Sequence, residues 1–255
     1  TVVEAEPELF INRVWLLYYQ TRWDELPAAL EHLGKIIEHA DLPTETLQCL
    51  QGEINTLIAL VAFISGDCDR AVESARVALT HSPHEFWIIR VLAQVLLTVA
   101  LQANGQFSQA YQSYYQSFDE TPTDNALLPA TRLVLLCYVH WIAADLDAVV
   151  REAQQSITLS QTANSPAMLG VGRYHLGSAF YQQNRLSEAE AQFASVNAQP
   201  YVHYRDIYAY SAIALALTYQ AQNRPDEAQT LADQLLALML QTSNTTLLPV
   251  VEALQ

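Results

Sequence analysis

The chain has 255 residues, and 51% of them are apolar, which is enough for one elongated domain or two compact ones. Asp and Glu outnumber Lys and Arg by 27 to 12, and the formal net charge is −15. Because such a field repels phosphate backbones and anionic lipid headgroups, we expect no binding of nucleic acid or membrane through this domain. Its partners should be neutral or basic.

The three cysteines lie far apart and lack the paired spacing of a zinc site or a disulfide framework: Cys49, Cys68 and Cys137. We interpret them as small core residues in a reducing compartment. The most apolar stretch, residues 88–103, is short for a bilayer span and is interrupted by polar side chains, so we expect a core helix there. No signal peptide is evident. These features predict a cytoplasmic protein.

One phrase recurs along the chain. NRLSEAEAQF begins at Asn184, and NRPDEAQTLA begins at Asn223, 39 residues later. The residue five positions into each copy returns at intervals of 39, 39, 40 and 39 residues: Ala71, Ala110, Val149, Ala189 and Ala228. A weaker copy places Leu26 45 residues before Ala71. A repeat of this length indicates stacked supersecondary units.

We predict a single repeat domain over residues 1–255, built from helix hairpins. The units are placed at 9–40, 45–82, 84–120, 126–162, 166–198 and 202–241, with a truncated unit at 245–255. In each unit, apolar residues at helical spacing stop at a turn and then resume. Gly or Asn stands at four of these turns, where the first helix must end in left-handed backbone: Gly66, Gly105, Asn184 and Asn223. Ala144 departs from this pattern.

Prolines punctuate the same units. Four fall at the junctions between hairpins, and a fifth lies in the first turn of a second helix: Pro83, Pro122, Pro166, Pro200 and Pro225. Period-two alternation is absent from the sequence, so no strand is predicted. The expected fold is an all-α superhelical solenoid of antiparallel hairpins.

The arrangement of Leu176, Gly177, Phe180, Ala189 and Phe193 resembles the tetratricopeptide repeat (TPR). The usual period of that repeat is about 34 residues, and the longer period here is similar to the TPR-like domain of MalT-like, ATP-dependent LuxR-family transcriptional regulators. The resemblance implies an N-terminal nucleotide-binding module and a C-terminal helix-turn-helix in the parent protein. The chain contains no Gly-x-x-x-x-Gly-Lys-Ser/Thr loop. ATP is therefore expected outside this fragment, and we expect no cofactor within it.

The last residues also suggest a fragment. NTTLLPVVEAL resembles the opening NALLPATRL of an earlier unit, and the second helix of that final unit is missing. Natural repeat arrays end in a polar capping element. We therefore expect the chain to be cut from a longer protein.

In a TPR-like solenoid, the first helix of each unit builds the concave wall. The repeat register places on that wall a set of aromatic and polar residues: Tyr138, Trp141, Tyr174, His175, Ser178, Tyr181, Gln182, Tyr210 and Gln220. Aromatic rings beside amides and hydroxyls suit a polar ligand such as a sugar. The alternative is that these rings belong to the packing between helices.

The cluster PYVHYRDIYAY contributes a possible rim of this groove, with Tyr204 and Arg205. Its alternative interpretation is an amphipathic helix start with a surface Arg205–Asp206 pair. Glu31, His32, Glu38 and His39 lie at a seven-residue spacing that metal-binding helices do not favour, so no metal site is expected. We identify no nucleophile or paired acid and base, and we predict no enzyme.

Two functions remain open. In the first, the domain senses a small inducer, for example an oligosaccharide, in its groove and controls assembly of the full regulator. In the second, it is a scaffold that binds a protein partner or another copy of itself. Stabilisation by a small molecule would distinguish them.

Overall fold

The computed structural model describes residues 6–119, 127–199, 202–241 and 247–254. These residues form α-helices joined by turns, with one short 3₁₀ segment and no strand. The helices are α1 (Pro7–Tyr19), α2 (Leu26–Glu38), α3 (Thr44–Ile64), α4 (Cys68–His81), α5 (Trp87–Ala103), α6 (Phe107–Asp119), α7 (Leu127–Ile142), α8 (Leu146–Thr162), α9 (Pro166–Gln182), α10 (Leu186–Asn197), α11 (Arg205–Ala221), α12 (Pro225–Gln241) and α13 (Leu248–Glu252). The predicted all-α solenoid fold is confirmed.

The chain forms two compact units, residues 1–18 with 22–123 and residues 19–21 with 124–255. Within the first unit, α3 packs on α4, α4 on α5, and α5 on α6. Within the second, each helix from α7 to α13 packs on the next, and α9 also contacts α7 and α11. Such nearest-neighbour packing is how stacked hairpins bury a continuous core. The assignment of all repeats to one domain stays a prediction.

The repeated phrase encodes the turn of a hairpin. Asn184 and Asn223 have φ angles of 58° and 60°, and Gly66 and Gly105 have 81° and 73°. The amide after each of them donates back to a carbonyl five residues earlier, as in the bond of 2.8 Å from Arg185 N to Phe180 O. This bond closes a Schellman-type helix end. The Gly and Asn residues of the repeat therefore stand where left-handed backbone is required.

The arginine that follows Asn in this phrase fixes the start of the second helix. Arg185 lies 4.0 Å from the centre of the Phe180 ring and forms an ion pair with Glu188. Arg224 repeats both contacts, 4.3 Å from the Tyr219 ring and paired with Glu227. In α4 and α8 an aspartate caps the helix instead, and Asp145 accepts from the backbone N–H of Ala148 at 3.0 Å. Both devices place an anion beside a helix N-terminus.

The turn at Ala144 has the same conformation, with a φ of 57°, although alanine carries a β-carbon. Asp145 N donates to His140 O at 2.9 Å, so the helix end is the same as in the other units. Packing of the hairpin thus imposes a conformation that costs alanine about 1–2 kcal/mol.

Small residues lie where the two helices of a hairpin approach closely. Ala59, Ala71, Ala189, Ala216 and Ala228 are all buried, with at most 2% of their surface exposed. They leave room for the helix axes to come together.

Three of the five prolines lie at helix boundaries, as the sequence predicted. Pro166 and Pro225 are the first residues of α9 and α12, and Pro83 lies between α4 and α5. Pro122 and Pro200 lie outside the described residues.

The cysteines are free thiols, with Cys137 buried and the other two half-buried. Burial raises the pKa of the Cys137 thiol.

By length and composition, α3 is apolar enough to cross a membrane. In the structure it packs along α4 and contributes Leu50, Leu57 and Leu60 to the buried core of the first unit. The apolar residues of α3 therefore belong to the hydrophobic core of this unit. The 88–103 segment, most of which is buried, lies within α5 in the same unit.

Candidate functional site

Four of the predicted groove residues form a continuous line of rings across three first helices. Tyr138 on α7 meets His175 on α9 edge to face, with 4.5 Å between the ring centres and 84° between the planes. His175 lies 5.4 Å from Tyr174, which in turn lies 6.0 Å from Tyr210 on α11. We call these four residues the aromatic row. Edge-to-face and tilted pairs at these distances are favourable arrangements of rings.

One end of the aromatic row is exposed to solvent, whereas its middle is buried. Tyr138 is 38% exposed, whereas His175 is 3% exposed. Tyr174 and Tyr210 are half-buried. Tyr174 also contacts Phe193 of α10 at 6.4 Å, so the row rests on the hydrophobic core of the second unit. Tyr138 is therefore the most exposed ring of the row and His175 the least exposed.

Burial keeps the closed part of the row uncharged. It lowers the pKa of His175 to about 4, so the imidazole is neutral at physiological pH. Its Nε2 atom has no hydrogen-bond partner among the described residues. A buried ring nitrogen without a protein partner is able to bond a water or a ligand atom. Burial likewise raises the pKa of Tyr210, to about 12, and the neighbouring charge of Asp206 adds to the effect.

Asp206 was not among the predicted groove residues. It stands in the first turn of α11, four residues before Tyr210, which places both side chains on one face of the helix. Burial raises the pKa of this carboxyl. The i, i+4 spacing from Tyr210 was available in the sequence, whereas the burial that raises the pKa of Asp206 depends on the tertiary packing.

The rim residues precede this carboxylate. Tyr204 immediately precedes α11 and is 38% exposed, and Arg205 is the first residue of the helix. Among the described residues, no ion pair joins Arg205 to Asp206, so the surface pair considered as an alternative does not form.

The other predicted groove residues do not join the aromatic row. Trp141, Tyr181 and Gln220 each lie three residues before a left-handed turn residue, near the C-terminal ends of α7, α9 and α11, and Gln182 follows Tyr181. Trp141 and Tyr181 make no ring contact in the described part of the chain. Ser178 donates to the Tyr174 carbonyl at 2.8 Å within α9. The structure therefore divides the predicted groove into the aromatic row and a group at the helix ends.

Within the described ranges, no cluster of three His, Cys, Asp or Glu side chains could hold a metal ion. The candidate face on α2 instead contains an exposed ion pair of 2.6 Å between Lys35 and Glu31.

Stacked helix hairpins with a line of side chains across successive first helices define a helical-repeat domain of the TPR type. The protein-family model described as the MalT-like TPR region matches residues 52–255 of the chain. The chain belongs to this family. The resemblance to MalT-like regulators inferred from the repeat is thereby confirmed.

Two individual proteins are also similar to the chain, one in sequence and one in fold. Over 112 residues, or 44% of the chain, the sequence is 28% identical to the HTH-type transcriptional regulator MalT of Vibrio cholerae serotype O1, and the match covers 12% of that regulator. The crystal structure of a Rap protein complexed with competence and sporulation factor is similar over 94% of the chain and 78% of its own, with a TM-score of 0.57 and 10% identity. At that identity the likeness concerns the fold alone.

Proposed function

We propose that this domain is the sensor of a MalT-like, LuxR-family transcriptional regulator and binds a small polar inducer at the aromatic row. The observation that carries the proposal is the unbroken contact from Tyr138 through His175 and Tyr174 to Tyr210. A ligand on this line would touch α7, α9 and α11 together.

The chemistry of the row favours a ligand with both flat and polar surfaces. Tyrosine rings offer apolar faces, and their hydroxyls bond at the edge. The free Nε2 of His175 supplies a further directional partner. An oligosaccharide or another small metabolite has this mixture of surfaces.

Binding across three helices would couple the ligand to the spacing of the hairpins. A ligand shifts a conformational equilibrium by the difference between its affinities for the two states. We propose that the inducer favours the spacing in which the full regulator assembles. The role is non-catalytic and cytoplasmic, and ATP would bind only in another module of the parent protein.

The alternative is a scaffold that binds a protein partner or a second copy of the chain without a small ligand. It is favoured by three exposed apolar side chains at one end of α7: Tyr138, Trp141 and Ile142 are 37–39% exposed. Aromatic residues of this kind are enriched at protein interfaces.

A thermal-shift screen of the chain against sugars, amino acids and common metabolites tests the sensor. A ligand at one hundred times its dissociation constant adds about 2.7 kcal/mol to the stability of the folded state. We expect a rise in Tm for one chemical class, and we expect Tyr138→Ala to reduce it. A rise that is unchanged in the variant would place binding outside the aromatic row. The scaffold function is correct if no compound raises Tm and a pull-down with the chain recovers a protein that binds at α7.

A further inference from the structure

The first unit carries an indole–carboxylate pair at two repeat positions that hold rings of the aromatic row in the second unit. Trp15 Nε1 on α1 donates to Glu53 Oε2 on α3 at 2.5 Å. Trp15, like Tyr138, stands six residues before a left-handed turn residue, and Glu53, like Tyr210, stands thirteen residues before one. In that order, the turn residues are Thr21, Ala144, Gly66 and Asn223. We call Trp15 and Glu53 the Trp15–Glu53 pair.

Packing holds the indole of this pair in place. Trp15 is 8% exposed and meets the ring of Tyr18 edge to face, with 5.6 Å between the ring centres and 89° between the planes. A carboxylate has a second acceptor oxygen. Within the described parts of the chain, Glu53 Oε1 accepts no hydrogen bond, and it is not fully buried. The indole therefore fixes one oxygen of the carboxylate, and the other is open to an incoming donor.

The charge of Glu53 has no cationic partner among the described residues. The side chain is half-buried, and burial raises its pKa although the bond from the indole acts in the opposite direction. Two other half-buried glutamates each pair with an arginine, Glu152 with Arg151 at 3.3 Å and Glu190 with Arg224 at 2.9 Å. A half-buried carboxylate without such a partner gains from a cation beside it.

A simpler interpretation is that the Trp15–Glu53 pair only ties α1 to α3. A negative charge is not needed for that role, because a neutral amide oxygen also accepts from an indole N–H. Glu53→Gln therefore separates the two interpretations, since it keeps an oxygen for the tie and removes the charge. Glu45, which is exposed in the first turn of the same helix, provides a matched control.

We propose that the Trp15–Glu53 pair binds a cationic nitrogen, an ammonium or guanidinium group, of a ligand. Glu53 supplies the charge and the open oxygen, and Trp15 holds the carboxylate in a fixed orientation. The net charge of −15 raises the local concentration of cations. The nitrogen can belong to a free amine or to an arginine or lysine side chain of a peptide. This site lies in the first unit and does not depend on the aromatic row, so it goes beyond the proposed function.

The indole N–H resonance of Trp15, in a nitrogen–proton correlation spectrum of the whole chain, reports directly on the pair. The chain has four tryptophans, and Trp15→Phe identifies the resonance by its loss. Agmatine represents a free amine, and the acetylated, amidated tripeptide Ala-Arg-Ala represents a peptide side chain. The same tripeptide with citrulline in place of arginine has nearly the same shape without the charge. Titrations are made at physiological salt, which screens the general acidity of the surface.

We expect at least one guanidinium probe to shift the Trp15 resonance with a saturable dependence on its concentration. The citrulline peptide should bind at least tenfold more weakly than the arginine peptide. Glu53→Gln should weaken the guanidinium probe at least tenfold, whereas Glu45→Gln should leave its affinity within about twofold. Tighter binding of agmatine would identify a free amine as the source, and tighter binding of the arginine peptide would identify a peptide.

The proposal is overturned if neither guanidinium probe moves the Trp15 resonance. Equal effects of the two glutamate variants would also overturn it, because binding would then follow net charge alone. Equal affinities of the arginine and citrulline peptides for the wild type have the same meaning, and this comparison needs no variant to fold. Tyr138→Ala should leave the titration unchanged. A loss of binding in that variant would assign the probe to the aromatic row, which would overturn the second site and leave the proposed sensor standing.

Discussion

Gly177 of α9 lies directly against the ring of Phe193 of α10. A β-carbon at Gly177 would come within 2.7 Å of a ring carbon of Phe193, which is fully buried. The close approach of these two helices therefore depends on the missing side chain, and the small residue of the repeat has a direct packing reason.

Gly177→Ala should destabilise the protein by about 1–3 kcal/mol, since the buried ring has little room to move. The matched control is Gly34→Ala in α2, where no described atom lies within 4 Å of an added β-carbon. That change should stabilise by about 0.5–1 kcal/mol, because alanine is the better helix former. Denaturant midpoints measure both. Similar effects at the two glycines would contradict the packing described for Gly177.

Ala144→Gly should stabilise the hairpin of α7 and α8. It removes the β-carbon from left-handed backbone, which is worth about 1–2 kcal/mol, and loses about 0.4–1 kcal/mol through the freer unfolded chain. Ala143→Gly, one residue earlier and outside the left-handed region, should instead destabilise. Chemical denaturation of the two variants gives the comparison. A loss of stability in Ala144→Gly would show that the turn is not left-handed in solution.

Acid should weaken the fold through His175. Burial lowers the pKa of His175 from 6.5 to about 4. Between these two pH values the imidazole is therefore protonated in the unfolded chain and neutral in the folded chain. Stability is unaffected above pH 6.5 and is lost as the pH falls toward 4, by about 3 kcal/mol for this group. His175→Phe removes the titration and keeps a ring. The unfolding free energy of the variant should therefore decline less than that of the wild type between pH 7 and pH 4, and parallel declines would refute the assignment.

Tyr138→Ala and Tyr181→Ala separate the two groups of predicted groove residues. For an inducer found by thermal shift, Tyr138→Ala should weaken binding at least tenfold while the fold remains, because the ring is partly exposed. Tyr181→Ala should weaken binding too if the helix-end group contributes to the groove. Tyr115→Ala, at an exposed tyrosine of α6, is the control and should bind normally. Unchanged affinity in Tyr181→Ala would restrict the site to the aromatic row.

The sequence predicted the helical repeat because local rules determine it. The positions of Gly66, Gly105, Asn184 and Asn223 follow from the backbone angle of the turn, and Ala189 and Ala228 follow from the spacing of two neighbouring helices. These restraints act over a few residues or one hairpin. They therefore appear in the amino-acid sequence as a periodic pattern.

Only the tertiary structure decided which groove residues meet. Tyr174 and Tyr210 are separated by 36 residues in the sequence and touch because α9 packs on α11. The register alone placed Trp141 and Tyr181 in the same set as Tyr138, although their rings stand apart from the aromatic row. The sequence by itself thus determined the hairpins, the turns and the acidic surface of this protein. The burial of His175 and the surroundings of Asp206 were decided by packing between helices, because desolvation depends on every neighbour in space rather than on neighbours in the chain.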